Sequence, residues 1–208
     1  MTISQMISDT KKSADINLKL ESRIKDNILL LAEKLLSQHP LFSGAGFALY
    51  NESTVSPWQL AWLYRPQHPR MVSKFCLNKA SQPLVDYQTF SWFAKVSDKG
   101  YLHGPYVDYV CNSTYTLTYI FPVYFERRLI GVAATDVMVG QLEQILRESL
   151  ANDPLPIIMT TTSGRVLFST HPRFRVGTLQ TSHSLTAHFQ SQYFTLWSEG
   201  CEGGAVPP

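Results

Sequence analysis

Two long apolar segments joined by a short polar connection constrain the fold of this chain more than any other feature. The first runs from Tyr115 to Phe125, and the second, from Leu129 to Val137, is rich in β-branched and small residues. In the first, alternate positions separate two faces, one carrying Tyr115, Leu117, Tyr119 and Phe121 and the other Thr116, Thr118 and Ile120. Only Glu126, Arg127 and Arg128 connect the segments, so the sequence predicts a hairpin of adjacent antiparallel strands.

Two acidic residues flank this hairpin. Asp108 precedes the first strand, and Asp136, 28 residues later, closes the second. A hairpin that folds back brings its two ends to one edge of the sheet, so we expect the carboxylates to form a small pocket for a cation. Two structural roles remain open: Asp136 can cap the helix that follows it, and Asp108 can be a turn residue.

A long amphipathic helix is predicted from about Asp15 to Gln38, ending at His39 and Pro40. Its apolar stripe consists of Ile16, Leu20, Ile24, Ile28, Leu31 and Leu35. Four more leucines widen this surface beyond what one small sheet can cover, namely Leu18, Leu29, Leu30 and Leu36. We therefore expect the same helix of a second copy to cover the remainder in a homodimer.

The rest of the chain is predicted from shorter patterns. The segments AGFALY and WQLAWLY form paired strands, whereas residues 65–104 contain three prolines and no regular strand, with a short helix over 87–97. A second short helix starts near Val139 and stops before Pro154, a hairpin turns at Ser163 and Gly164, and YFTLW forms one more strand.

These elements suggest four parts. They are a flexible N-terminus (1–14), a ligand-binding lobe (15–153), a strand-rich extension or partial second lobe (154–199) and a disordered tail (200–208).

Composition excludes several classes of function. The 208 residues include 44% apolar residues, enough for a real core, and 18 basic residues are balanced by 16 acidic ones with no basic cluster for nucleic acid. Cys76, Cys111 and Cys201 show neither paired spacing nor zinc-ligand spacing, so no disulfide framework, metal or cofactor is expected. With no signal peptide and no apolar run of membrane-spanning length, the sequence predicts a soluble, cytoplasmic protein.

Four pieces of the sequence together resemble a known family. They are the long opening helix, the Trp92-Phe93 pair, Gly104-Pro105-Tyr106 with Asp108, and the run from Pro122-Val123 through Gly131-Val132 to Asp136. In this order they resemble the membrane-distal lobe of double Cache sensor domains, the PAS-like ligand-binding modules of bacterial chemoreceptors, histidine kinases and nucleotide cyclases. The resemblance covers roughly residues 15–150, and the later segment SGRVLFSTHPRFRVG is more weakly similar to the strands that join this lobe to the next. The resemblance implies an α/β (α+β) fold whose N-terminal helix packs on a mainly antiparallel sheet.

The resemblance also implies a binding site. In the family branch that binds amino acids or amines, the ligand's ammonium is held by a Tyr-x-Asp element and by the aspartate that closes the later strand. The matching residues in this sequence are Tyr106, Asp108 and Asp136. Trp92 matches an aromatic residue that forms a wall of the pocket. The arginine that pairs with the ligand carboxylate in amino-acid binders is replaced here by Phe90, which cannot make that bidentate contact. The implied ligand is an amine without a carboxylate: a biogenic amine, a short polyamine or a quaternary ammonium compound. Secondary candidates for the same cavity are Tyr64, Asp86 and Tyr87.

Other functions stay open. The same fold can be an interaction module without a small ligand, with Trp92 and Tyr106 as core residues, or an amino-acid sensor. An enzyme is disfavoured, because Cys111 near His103 and Asp108 lacks the glycine-rich turn or helix start that would activate a thiol. His183 and His188, five residues apart, would lie on different faces of a helix, which argues against a metal site. The partner that receives a signal is not identifiable from the sequence.

Overall fold

The structure is a computed structural model that describes residues 22–49, 60–65, 73–75, 99–150, 155–181 and 184–199. The helix predicted over 87–97, the first turns of the N-terminal helix, both termini and His183 lie outside these ranges. The described residues form two helices and ten strands. In chain order they are α1 (Ser22–Gln38), β1 (Phe42–Leu49), β2 (Leu60–Tyr64), β3 (Ser73–Phe75), β4 (Tyr101–Asp108), β5 (Thr114–Phe125), β6 (Arg128–Met138), α2 (Val139–Ser149), β7 (Ile157–Thr161), β8 (Val166–Ser169), β9 (Leu185–Gln190) and β10 (Phe194–Glu199).

The fold is a mixed α+β arrangement, as the sequence predicted, and its strands form two sheets. The larger sheet has the strand order β3-β2-β1-β6-β5-β4. The predicted pairing of β1 with β2 is confirmed and is antiparallel, and β1 also pairs antiparallel with β6. The predicted hairpin of β5 and β6 is confirmed too, with a turn at Glu126 and Arg127, which have positive φ angles of 47° and 65°. Arg128, expected in the connection, is the first residue of β6.

Helix α1 packs on one face of this sheet. Its buried residues are Ile24, Ile28, Leu29, Ala32 and Leu36. They contact Ala45, Phe47, Leu49, Ala61 and Leu63. The helix is rotated from the predicted stripe, since Leu31 is 40% exposed while Leu29 and Leu36, expected at the margin, lie in the core. The side chain of Arg65 donates hydrogen bonds to the carbonyls of Leu36 and Phe42, which ties the end of α1 to the sheet.

On the opposite face of the sheet, two glycines of β1 make room for a tryptophan. A Cβ atom at Gly46 would lie 2.7 Å from the ring of Trp62, and one at Gly44 would lie 3.1 Å from it. A side chain at Gly46 would collide with the indole and one at Gly44 would crowd it, so the two glycines allow Trp62 to lie this close to β1. Trp62 itself is buried.

The expectation of no regular strand over residues 65–104 is wrong at two places. Ser73–Phe75 forms β3, and β4 begins at Tyr101. The three prolines that argued against strands lie in neither of them. Pro105 of β4 is tolerated because β4 is an edge strand of the sheet, where a missing backbone N–H costs little. Within β4 the Gly104–Pro105 peptide bond is cis.

Spatial clustering of the chain separates two compact units. The first contains α1, β1 to β3, and residues 108–113 and 118–137, and the second contains residues 104–107 and 114–117 with α2 and β7 to β10. In the second unit an antiparallel sheet has the order β8-β7-β10-β9. The predicted hairpin at Ser163–Gly164 and the last strand are confirmed, and Gly164 has the positive φ of 80° that the turn requires.

The interpretation of His188 as helical is wrong. It lies in strand β9, where its Nε2 is 2.6 Å from Oγ of Ser198. The alternation of polar and apolar residues in LTAHFQ fits a strand. Neither helix of the described residues has the length and apolar character needed to cross a bilayer.

Candidate functional site

Asp136 is a buried carboxylate held in place by a neighbouring strand. Its side chain is 4% exposed, and the hydroxyl of Thr118 on β5 donates a 2.6 Å hydrogen bond to Oδ1. The N-cap of α2 is Met138, without a side-chain capping bond. The alternative role of Asp136 as a helix cap is therefore wrong, and its burial needs another explanation, because a buried charge is costly.

Asp108 ends strand β4 and is 7% exposed. Its Oδ1 accepts hydrogen bonds from the backbone N–H groups of Val110, at 3.1 Å, and Cys111, at 3.2 Å. These bonds form the turn that was one expected role of this residue. Both bonds are made to Oδ1, however. The other carboxylate oxygen, Oδ2, is buried and has no hydrogen-bond partner within the described part of the chain.

The two carboxylates lie close enough to influence each other. The pKa of Asp136 is raised to about 7, first by burial and further by the charge of Asp108, while the bond from Thr118 opposes the shift. Burial also raises the pKa of the Cys111 thiol, and the charges of Asp108 and Asp136 raise it further. Coulomb interactions weaken with distance, so these effects indicate that the side chains of Asp108, Cys111 and Asp136 lie near one another.

The thiol chemistry of this neighbourhood does not suit catalysis. A catalytic cysteine needs a lowered pKa to form a thiolate at neutral pH. Burial and the two carboxylates beside Cys111 instead raise the pKa of its thiol. Among the described residues, no group of three His, Cys, Asp or Glu side chains is arranged to hold a metal ion.

The register of three strands defines the surface beside Asp136. Gly44 on β1 pairs with Asp136 on β6 on one side and with Tyr64 on β2 on the other. Paired residues point to the same face of a sheet. Since Gly44 has no side chain, Asp136 and Trp62 both pack closely over it. A Cβ at Gly44 would lie 2.9 Å from Oδ2 of Asp136 and 3.2 Å from Nε1 of Trp62, so the indole lies beside this carboxylate.

The remaining predicted residues are distributed as follows. Tyr64 and Tyr106 are half-buried, on β2 and β4. Outside the described residues lie Asp86, Tyr87, Phe90 and Trp92. The structure thus brings together Asp108 and Asp136, and it aligns Tyr64 with Asp136 across Gly44.

Four residues near this site were missed by sequence reasoning: Gly44, Trp62, Asn112 and Thr118. Trp62 and Tyr64 are two positions apart in WQLAWLY, so their shared face was predictable, but their neighbour Asp136 comes from a distant part of the chain. Asn112 follows Cys111 in the β4–β5 turn and is 9% exposed, with neither side-chain polar atom bonded within the described part of the chain. No sequence pattern distinguishes such an asparagine from an ordinary turn residue.

An apolar groove of about 260 Å³ lies on the α1 side of the sheet. Among the residues that line it are Ile28, Leu31 and Leu35 of α1 and Tyr119 and Phe121 of β5. Neither Asp108 nor Asp136 borders it. The groove is therefore distinct from the carboxylate site.

Comparison with known proteins identifies the fold. No protein-family model matches the sequence, and no curated protein matches it. A solved structure described as methyl-accepting chemotaxis protein X matches with a TM-score of 0.65 and 13% identity, over 85% of this chain and 81% of that one. The periplasmic sensory domain of the Campylobacter jejuni chemoreceptor Tlp1 matches with a TM-score of 0.61 and 9% identity, over 94% and 84%.

The ligand-binding domain of the Pseudomonas aeruginosa PAO1 amino acid chemoreceptor PctC, in complex with GABA, matches with a TM-score of 0.52 and 16% identity, over 94% of this chain and 84% of that one. At these identities the likeness shows the fold, which is that of PAS-like Cache sensor domains. The expected cytoplasmic location is wrong, because a neighbour with this fold is a periplasmic domain. Absence of a leader or membrane segment from a stretch of sequence says nothing about where the folded domain works.

Proposed function

We propose that this chain is a ligand-binding sensor domain that works outside the cytoplasm and recognises a small cationic amine through Asp108 and Asp136. The observation that carries the proposal is a pair of buried carboxylates, of which Asp108 contributes to the raised pKa of Asp136. No Lys or Arg in the described part of the chain forms an ion pair with either. Buried carboxylates are normally paired, so these two are suited to a positive charge supplied by a ligand.

The energetics favour a cation at this position. An ammonium group removes the repulsion between the carboxylates, and each charged hydrogen bond contributes about 1.5 to 3 kcal/mol. Oδ2 of Asp108 is available as an acceptor. An aromatic face beside the cation adds about 0.5 to 2 kcal/mol. Trp62 lies beside Asp136 over Gly44, and Tyr106 and Trp92 are the aromatic residues that the family resemblance implies.

The choice of an amine over an amino acid depends on Phe90. Amino-acid binders of the family carry an arginine at that position, and a phenyl ring cannot pair with a carboxylate. We therefore infer a biogenic amine, a short polyamine or a quaternary ammonium compound. An amino-acid sensor is the second candidate, favoured by the Pseudomonas neighbour, whose ligand GABA carries both an ammonium and a carboxylate.

Three four-carbon compounds separate these possibilities: butylamine, GABA and butyrate. Thermal-shift and calorimetric titrations are expected to detect binding of butylamine, weaker binding of GABA and none of butyrate, because stabilisation follows affinity for the folded state. Asp108→Asn and Asp136→Asn should each weaken butylamine binding at least about tenfold, which corresponds to about 1.4 kcal/mol. Asp26→Asn, which changes an exposed acid of α1, is the matched control.

Each contrary result has a definite meaning. A response to butyrate alone would reverse the charge assignment, and a response to GABA alone would favour the amino-acid sensor. If a wider set of amines also leaves the melting temperature unchanged, the amine proposal fails.

An interaction module that dimerises through α1 is the other candidate. It is favoured by Leu30 and Leu31, which are 65% and 40% exposed on that helix. Leu30→Glu should then shift sedimentation from dimer to monomer. A protein that is monomeric at all concentrations would exclude this candidate.

A further inference from the structure

Asn112 is a buried amide that the fold leaves unsatisfied. Its side chain is 9% exposed, and both Oδ1 and Nδ2 are without a hydrogen-bond partner in the described ranges. Buried polar groups are almost always bonded, because an unpaired donor or acceptor loses its water without compensation. An amide with both ends unpaired therefore points to a polar group supplied from outside the chain.

The position of Asn112 links it to the carboxylate site. The β4–β5 turn is closed by a 2.6 Å hydrogen bond from the N–H of Ser113 to the carbonyl of Asp108. This short turn therefore contains three unpaired buried atoms: Oδ2 of Asp108 and both polar atoms of Asn112. The pKa of Cys111, the residue before Asn112, is influenced by the charges of both Asp108 and Asp136. The turn thus lies beside both carboxylates.

We infer that Asn112 is a further ligand-contact residue, and that the ligand carries a hydroxyl group beside its ammonium, as an amino alcohol does. The inference rests on the proposed function and narrows its ligand class. Asn112 presents one donor group and one acceptor, so its partner must both accept and donate.

Other ligand groups satisfy Asn112 less well. An ammonium only donates, so it would bond Oδ1 and leave Nδ2 unpaired. A carboxylate only accepts, so it would leave Oδ1 unpaired and would also bring a negative charge beside Asp108. A hydroxyl is both donor and acceptor, and it adds no charge.

Three matched pairs of compounds test this inference: ethylamine with ethanolamine, propylamine with 3-aminopropanol, and butylamine with 4-aminobutanol. Within a pair only the hydroxyl differs. In calorimetric titrations at pH 8, the amino alcohol of at least one pair should bind about tenfold more tightly than its alkylamine. Asn112→Leu should abolish that preference, so that affinity for the amino alcohol falls toward that for the alkylamine.

A second readout separates ligand contact from a structural role. Replacing an unsatisfied amide by an apolar side chain of similar size removes a desolvation cost. The ligand-free Asn112→Leu protein should therefore melt at a temperature equal to or above that of the wild type, whereas a structural asparagine would lower it. Asn27→Leu, at a half-buried position of α1, is the control for the same exchange elsewhere.

The outcomes are distinguishable. If the wild type binds both members of every pair equally, the role of Asn112 is refuted while amine recognition stands. If the Asn112→Leu protein still binds the amino alcohol more tightly than the alkylamine, the inference also fails. If the leucine variant does not fold, Asn112→Ala takes its place, and the same result with that variant refutes the inference. If none of the six compounds binds, the inference fails together with the amine site on which it rests.

Discussion

The hydroxyl of Thr118 donates a 2.6 Å hydrogen bond to Oδ1 of Asp136, and both side chains are almost completely buried. The bond stabilises the ionised carboxylate and so opposes the rise in its pKa caused by burial. It also fixes the orientation of the carboxylate, with Oδ2 on the side of Gly44 and Trp62. Thr118 is thus a positioning residue for the acidic group on which the proposed site depends.

Removing this bond should destabilise the protein in a pH-dependent way. Thr118→Val is expected to lower the free energy of unfolding by about 1.5 to 3 kcal/mol at pH 8, where Asp136 is ionised, and by about 1 kcal/mol at pH 5, where it is neutral. Urea unfolding at both pH values measures the difference. Thr116→Val, at a buried hydroxyl that donates to the carbonyl of Thr114, should show no such pH dependence. Equal losses at both pH values would contradict the assigned charge state.

The raised pKa of Asp136 predicts the pH dependence of stability. The pKa is about 7 in the folded protein and 3.8 in the absence of the fold, so between these values the folded state binds a proton that the unfolded state does not. The contribution of this group to the free energy of unfolding of the ligand-free protein is therefore fully present below about pH 4. It falls by up to about 1.4 kcal/mol per pH unit as the pH rises to 7.

Asp136→Asn should remove this contribution. Its stability relative to the wild type, measured by chemical denaturation from pH 4.5 to 8, should increase with pH up to about pH 7 and then level off. Asp26→Asn, in an exposed position, should keep the wild-type slope. If the free energies of unfolding of the wild type and Asp136→Asn differ by the same amount at every pH, Asp136 does not titrate in this range.

Amine binding should require loss of the same proton. Below the pKa of about 7, Asp136 is neutral in the empty site, so affinity for butylamine should fall by up to about tenfold for each unit of decreasing pH and should level off above pH 7. Calorimetry in buffers with different ionisation enthalpies should detect proton release on binding at pH 6 and little at pH 8. Unchanged affinity between pH 8 and pH 5 would argue against a contact with this carboxylate.

The close packing of Asp136 and Trp62 over Gly44 should not tolerate a methyl group. In Gly44→Ala the new Cβ would lie 2.9 Å from Oδ2 of Asp136 and 3.1 Å from the ring of Trp62, so we expect a loss of about 1 to 3 kcal/mol in stability and weaker amine binding. Gly140→Ala is the matched control, because nothing lies within 4 Å of its added Cβ. In α2 that exchange should stabilise the protein by about 0.5 to 1 kcal/mol. Equal effects of the two substitutions in urea unfolding would refute the close packing around Gly44.

Much of the fold was predictable from local sequence patterns. The β5–β6 hairpin, α1, α2 and the β7–β8 hairpin each carry a clear periodicity or turn signal of their own. Strand β4 was missed because Gly104 and Pro105 resemble loop residues, and its place at the sheet edge makes them acceptable in a strand. The rotation of α1 was missed because a widely apolar helix does not specify which of its leucines faces the sheet.

The site was less predictable than the fold. Asp108 and Asp136 flank a hairpin, so their proximity followed from connectivity alone. Trp62 and Gly44 reach the site through the pairing of β1 with β2 and β6, which no local pattern reveals. Asn112 is distinguished only by burial without a partner, and burial is a property of the packed chain.

The turn at Glu126 and Arg127 has a consequence for how the protein folds. Both residues adopt positive φ angles, although neither is glycine or asparagine. Such a turn is intrinsically unfavourable, so it is a poor nucleus for folding. Alignment of the two long strands must instead come from burial of Ile120, Ile130 and Val132, and the turn forms as a result of that alignment.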